Sequence, residues 1–174
     1  MCGIAGLIHK NKTVNIGKEL QDMLQALKHR GPDSTGFALY GEGHDNDFLM
    51  RFKVGENVGE GSSAINEGAE IYDLRKAQVD KYLIELGATV IKEEQITPYS
   101  FKYILKYDKD LMEFSKKIES VEMVEILSIG KSLELVKDLG DAGVVSNQYG
   151  LHKIKGTHGI GHTRMATESG VDIR

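Results

Sequence analysis

The chain has 174 residues, of which 20 are glycine and one is cysteine, and a net charge of −4; this length fits one domain, or one domain with a modest insertion. The intermingled charges form no basic stripe, which excludes a typical nucleic-acid-binding protein, and a single cysteine excludes an internal disulfide framework. No apolar run is long enough for a signal peptide or a membrane span, so we expect a cytoplasmic protein without nucleic-acid or membrane partners.

The first part of the chain predicts a strand, a helix and two further strands. "CGIAGLIH" is a short apolar run relieved by glycines, which is typical of a strand that something approaches closely. "NIGKELQDMLQALKHRG" carries apolar residues at three- and four-residue spacing and ends in cations, Gly31 and Pro32, which predicts an amphipathic helix that stops there. "GFALYG" and "DFLMRFKVG" then predict two strands joined by the polar turn "EGHDND".

The distribution of glycine predicts how the chain is divided. Residues 1–61 hold ten glycines and residues 130–174 hold eight, whereas residues 62–129 hold only two. Helix and strand patterns alternate in this middle part. If "DFLMRFKV" is counted first, their order is β-α-β-β-α-β, the pattern of ferredoxin-like domains; without it, the topology stays open. We expect two halves of one domain, 1–55 and 130–174, around an inserted α/β module at 56–129.

Three motifs near the two ends belong together: "MCGIAG" at the start, "HRGPDSTG" at 29–36 and "GIGHTRMATES" at 159–169. In this order they resemble the N-terminal-nucleophile (Ntn) glutaminase domain of class II glutamine amidotransferases, and most of all the stand-alone glutaminase subunits of the glutamate synthase type. The resemblance implies an α+β fold, the Ntn-hydrolase αββα sandwich, here with a ferredoxin-like α/β insertion. It also implies glutamine as the substrate and no cofactor.

Cys2 is the candidate catalytic nucleophile. A lone cysteine is most often a small buried hydrophobe, but position 2 has a chemical advantage. Removal of Met1 frees the α-amine of Cys2, and the pKa of such an amine is about 8, so base and thiol share one Cα. The sulfur then attacks the carboxamide of glutamine, ammonia leaves, and water hydrolyses the thioester to glutamate. Whether Met1 is removed is not written in the sequence.

Four more residues are candidates for substrate binding through the resemblance. Arg164 corresponds to the arginine that binds the α-carboxylate of glutamine, a task that suits the guanidinium fork, and Thr167 corresponds to a threonine that helps to bind substrate. Arg30 and Gly31 resemble the arginine-glycine pair beside the nucleophile. His158 and His162 are four residues apart, but the glycines around them disfavour a helix, so we expect no metal site.

The sequence departs from the family in two ways. The separation of Arg30 and Arg164 is unusually long, and the middle module accounts for the excess. The family's oxyanion asparagine-glycine pair and its amine-binding aspartate follow the "HTR.AT" motif, yet only "ESGVDIR" follows Thr167 here, with Glu168 where several relatives carry histidine. Loss of one oxyanion donor costs about 10²–10³ in rate. We therefore expect a fragment, or one part of a longer product, with an incomplete sandwich.

Three functions remain open at this point. The first is a glutaminase that passes ammonia to a partner synthase or acceptor-binding subunit. The second is an acylase or bile-salt-type hydrolase with the same nucleophile, which the retained Arg164 disfavours. The third is a non-catalytic regulatory or assembly subunit whose inserted module binds a small ligand or a partner, which the missing oxyanion pair favours. The sequence does not decide the oligomeric state, and a homo-oligomer is one of the states that it allows.

Overall fold

The computed structural model describes residues 2–10, 12–44, 46–56 and 68–165. The chain divides into two compact units: the first comprises 1–43, 57–65 and 132–174, and the second comprises 44–56 and 66–131. Each unit contains its own four-stranded sheet, and the pairings in both are antiparallel. In these described ranges, no helix combines the length and apolar character that crossing a membrane requires.

The described residues form eight strands and four α-helices. The strands are β1 (Gly3–Ile8), β2 (Ser34–Gly41), β3 (Phe48–Lys53), β4 (Thr89–Thr97), β5 (Ser100–Lys106), β6 (Glu125–Gly130), β7 (Leu133–Leu139) and β8 (Gly156–Arg164). The α-helices are α1 (Ile16–Ala26), α2 (Ala69–Leu86), α3 (Leu111–Ile118) and α4 (Ala142–Gln148), and two 3₁₀ turns cover Lys28–Arg30 and Leu151–Lys153.

The first unit is a sheet of order β1-β8-β2-β7 with α1 against one face. Leu20 and Leu24 of α1 are fully buried, and the glycines of β8 allow the helix to approach closely. A Cβ at Gly161 would lie 2.6 Å from Leu24 Cδ1, and one at Gly159 would lie 3.3 Å from Leu20 Cδ2. The predicted amphipathic helix is confirmed, and its cationic end forms the 3₁₀ turn Lys28–Arg30.

The second unit is a sheet of order β4-β5-β3-β6 whose elements follow one another as β3-α2-β4-β5-α3-β6. Its core joins aromatic residues of the central strands to aliphatic residues of the helices. Phe52 stacks on Phe101 at 5.4 Å between ring centroids, and Val79 and Leu83 of α2 belong to the same buried cluster. This unit therefore has a hydrophobic core of its own.

"GFALYG" and "DFLMRFKVG" form strands β2 and β3, as the sequence predicted. The two strands belong to different sheets. Strand β2 pairs with β7 and β8, whereas β3 pairs with β5 and β6. The sequence did not assign these partners, because alternating hydrophobicity specifies which face of a strand is buried but not which strand pairs with it.

Candidate active site

The register of β1 and β8 brings two predicted site residues to the same end of the first sheet. Gly3 pairs with Thr163, so Cys2, which directly precedes β1, stands beside Arg164, the last residue of β8. On the other side of β8, Ser34 pairs with Arg164. Residues from opposite ends of the sequence thus meet at one edge of the fold, with Cys2 exposed.

Strand alternation places Cys2 and Arg164 on the face of the sheet that is turned away from α1. Ile4 and Ile160 lie on this outer face and are 72% and 53% exposed. Side chains two residues apart along a strand share a face. The side chain of Cys2 therefore lies on the same face as that of Ile4, and the side chain of Arg164 lies on the same face as that of Ile160. A thiol and a guanidinium therefore stand on one face at the end of two neighbouring strands.

Gly31 allows the chain to pass tightly against the end of β8. A Cβ at this position would lie 2.6 Å from the carbonyl carbon of Arg164 and 2.8 Å from that of Thr163, both backbone atoms that cannot rotate away. Two residues later, the Asp33 N–H donates to the Arg164 carbonyl at 3.2 Å. The sequence made Gly31 a candidate for substrate binding; the close approach that the structure describes at Gly31 is to the backbone of β8.

Arg30 is the exposed last residue of the 3₁₀ turn Lys28–Arg30, directly before Gly31. A long-range ion pair anchors this turn: Lys28 Nζ lies 2.8 Å from Asp141 Oδ2. The hydrogen bond from Lys28 lowers the pKa of Asp141, and the N–H groups of Val144 and Gly143 contribute to the same shift. Asp141 also caps the N-terminus of α4, so one carboxylate joins the turn to a helix.

The sequence missed a row of buried polar side chains beneath the Cys2 end, on the face that packs against α1. Thr163, Thr35 and Asp138 are register neighbours on β8, β2 and β7, and none is more than 1% exposed. Thr35 Oγ1 donates to the Gly140 carbonyl at 2.8 Å, and the Tyr149 hydroxyl donates to Asp138 Oδ2 at 2.6 Å. The alternation of "GHTR" could have indicated that Thr163 is buried when Arg164 is exposed.

Thr167, the remaining predicted substrate residue, lies outside the described residues, as does Glu168. The two histidines of β8 point to the outer face. His158 stacks on Tyr40 with 4.0 Å between ring centroids, and the ring of His162 lies over Gly36, where a Cβ would be 2.7 Å from its Nδ1. Within the part of the chain that the structure describes, no three metal-ligating side chains are grouped.

Comparison with known proteins found two relatives over nearly the whole chain. "Putative glutamine amidotransferase" from Methanothermobacter thermautotrophicus is 35% identical over 99% of this chain and 54% of its own length. "Glutamine amidotransferase-like protein GlxB" from Rhizobium meliloti is 30% identical over 98% of this chain and 52% of its own length. The chain thus spans about half the length of these curated relatives. No protein-family model matches.

Proposed function

Because the chain is related over nearly its whole length to proteins named for glutamine amidotransfer, we propose that it is the glutaminase part of a class II glutamine amidotransferase. It hydrolyses glutamine to glutamate and ammonia through Cys2, after Met1 has been removed. The observation that carries this proposal is the β1–β8 register, which brings Cys2 and Arg164 together. A nucleophile with its own base thus stands beside a carboxylate-binding group.

The two groups divide the proposed chemistry between them. The guanidinium of Arg164 binds the α-carboxylate of free glutamine through two parallel hydrogen bonds. The α-amine of Cys2 takes the thiol proton, the sulfur attacks the carboxamide carbon, and the ammonium proton passes to the departing nitrogen. Water then hydrolyses the thioester. The proposal places Arg30 and Gly31 beside the nucleophile, and Thr167 with the substrate.

We also propose the Ntn-hydrolase αββα sandwich for the first unit and a ferredoxin-like fold for the second. The exposed apolar side chains of the outer face, Ile4 and Ile160 among them, support a sandwich because a second sheet would bury them. The element order β3-α2-β4-β5-α3-β6 with strand order β4-β5-β3-β6 supports the ferredoxin-like assignment. A partner synthase or acceptor-binding subunit that receives the ammonia belongs to the same proposal.

The test is labelling of Cys2 by 6-diazo-5-oxonorleucine, an electrophilic glutamine mimic, followed by mass spectrometry of the intact chain and of its N-terminal peptide. We expect loss of Met1 and one adduct on Cys2 whose formation glutamine slows. Butyramide, an amide without an α-carboxylate, should not slow it. Equal protection by both amides would instead favour the hypothesis that the protein is an acylase-type hydrolase.

Variants of Arg164 separate substrate recognition from thiol reactivity. Arg164→Lys keeps the charge but not the fork, so we expect glutamine protection to weaken by at least about tenfold, in keeping with the loss of a bidentate contact. Labelling by iodoacetamide, which needs no carboxylate, should keep its wild-type rate. Unchanged glutamine protection in this variant would refute the role of Arg164.

A second candidate function rests on a cavity in the second unit. This cavity has a volume of about 500 Å³ and is lined by Asn46, Gly87, Thr89, Lys106, Tyr107 and Asp108. Its polar lining would suit a small zwitterion if the inserted unit regulates or assembles a partner. Thermal stabilisation by amino acids that persists in the Cys2→Ala, Arg164→Ala double variant would support this function over the glutaminase.

A further inference from the structure

One buried hydroxyl at the Cys2 end of the first sheet calls for a partner. Thr163 is 1% exposed, and its Oγ1 has no hydrogen-bond partner among the residues that the structure describes. Its neighbour Thr35 is equally buried, but Thr35 Oγ1 donates to the Gly140 carbonyl. Valine has nearly the same shape as threonine and avoids the cost of an unpaired buried hydroxyl. A threonine at position 163 therefore points to a ligand of this oxygen.

The oxygen lies against the backbone next to the proposed nucleophile. Thr163 is the register partner of Gly3, and a Cβ at Gly3 would lie 2.9 Å from Thr163 Oγ1 and 3.1 Å from Leu27 Cβ. Thr163 Oγ1 therefore lies directly against the main chain at Gly3. The nitrogen of Cys2 is one residue away, and as a backbone atom it is not assigned to either face by side-chain alternation.

We propose that Thr163 is a positioning residue that holds the α-amine of Cys2, directly or through one buried water. The inference rests on the function proposed above. When the thiol proton moves to the amine, Thr163 Oγ1 accepts a hydrogen bond from the resulting ammonium group and so favours the ammonium–thiolate pair. The proton later leaves with ammonia, so the hydroxyl is unchanged over the cycle. Leu27 also lies against Gly3 on this side of the chain.

The experiment is the pH profile of Cys2 alkylation by iodoacetamide on the full chain, once mass spectrometry has verified removal of Met1. Because the thiolate is the form that iodoacetamide alkylates, the readouts are the pH of half-maximal rate and the rate at pH 7. Thr163→Val and Thr163→Ala remove the hydroxyl, and Thr163→Ser restores it. Thr35→Val is the matched control, because it removes a neighbouring buried hydroxyl that already has a partner.

We expect both hydroxyl-free variants to raise the pH of half-maximal alkylation by about half a unit, since the thiol loses part of the neighbouring positive charge. The rate at pH 7 should fall about threefold, the equivalent of that shift. Thr163→Ser and Thr35→Val should keep the wild-type profile. The KM of a coupled glutaminase reaction should stay constant while kcat falls.

Two results would overturn the inference: a wild-type profile in both hydroxyl-free variants, or an equal shift in Thr35→Val, which would indicate a general effect of packing. Failure of the proposed function gives a different signature, namely wild-type labelling by 6-diazo-5-oxonorleucine that glutamine does not slow. The iodoacetamide profile does not require glutamine binding, so the two failures are separable.

Discussion

Gly31 is required for the space that it leaves free and not for its backbone conformation. Its φ of −175° is extended and open to any residue. The restriction comes from β8, because the nearest atoms to an added Cβ are backbone atoms of Arg164 and Thr163. At this scale the sequence singled out Cys2, Gly31 and Arg164, and the structure brings these three residues together. It missed Thr163 because a motif names residues without assigning them to a face.

Gly31→Ala should therefore destabilise the chain by about 2–3 kcal/mol, the cost of overpacking against atoms that cannot move aside. Urea denaturation measures this change, and glutamine protection of Cys2 should weaken with it. Gly130→Ala is the control, because nothing lies within 4 Å of its added Cβ and the change should stay within about 1 kcal/mol. Equal losses in both variants would mean that contact with β8 is not the cause.

Among the secondary-structure elements, α4 and the turn Lys28–Arg30 depend on one carboxylate. The Asp141 carboxylate accepts hydrogen bonds from N–H groups at the start of α4 and forms an ion pair with Lys28. The side-chain oxygen of Gln25 in α1 accepts a hydrogen bond from the Gly143 N–H at 3.0 Å. The sequence predicted α1 and its end because apolar spacing and terminal cations are local signals. It could not predict the Lys28–Asp141 pair or the sheet of β3, since both depend on contacts between distant parts of the chain.

The Lys28–Asp141 pair should make stability depend on pH in one direction. A carboxylate whose pKa is lowered in the folded state adds stability above its unfolded pKa, and that stability is lost as the pH falls through the folded pKa. The unfolded value is near 3.8, so the Lys28→Ala variant should be less stable than wild type at pH 6 and equal to it well below that value. Because the Lys28 side chain is half exposed, we expect at most about 1 kcal/mol.

Urea titrations of both proteins from pH 2.5 to 7 measure this difference. Lys18→Ala serves as the control, because Lys18 forms an exposed ion pair with Asp22 within α1 and does not contact Asp141. A stability gap between wild type and Lys28→Ala that persists unchanged at pH 2.5 would contradict the assignment to Asp141.

For the whole molecule, the main finding is two units with separate sheets, the first of which carries the candidate site. Glycine distribution indicated an interrupted domain because close helix–sheet contact, as at Gly159 and Gly161, needs glycine. Sequence patterns could not specify where the units divide, because β3 pairs at its two edges with β5 and β6, which lie far along the chain. The relatives extend to about twice this length.

Leu83→Ala should separate the stability of the second unit from the chemistry of the first. Leu83 is 1% exposed within the second unit's core, so its truncation should cost about 2–4 kcal/mol. Hydrogen exchange should show lost protection at residues 69–130, while glutamine protection of Cys2 persists. Exposed Ile84 offers the adjacent control, Ile84→Ala. Loss of glutamine protection in Leu83→Ala alone would mean that the site depends on the second unit's core.

The antiparallel pairing of β1 with β8 also limits which insertions and deletions the first strand tolerates. Among the residues that the structure describes, β1 is an edge strand and β8 is its neighbour in the sheet. One residue added or removed between Cys2 and Ile8 would turn the thiol to the opposite face from Arg164. A change of two residues would restore the face but displace the thiol by about 7 Å along the strand. Length variation between this chain and its relatives should therefore be confined to segments beyond Ile8.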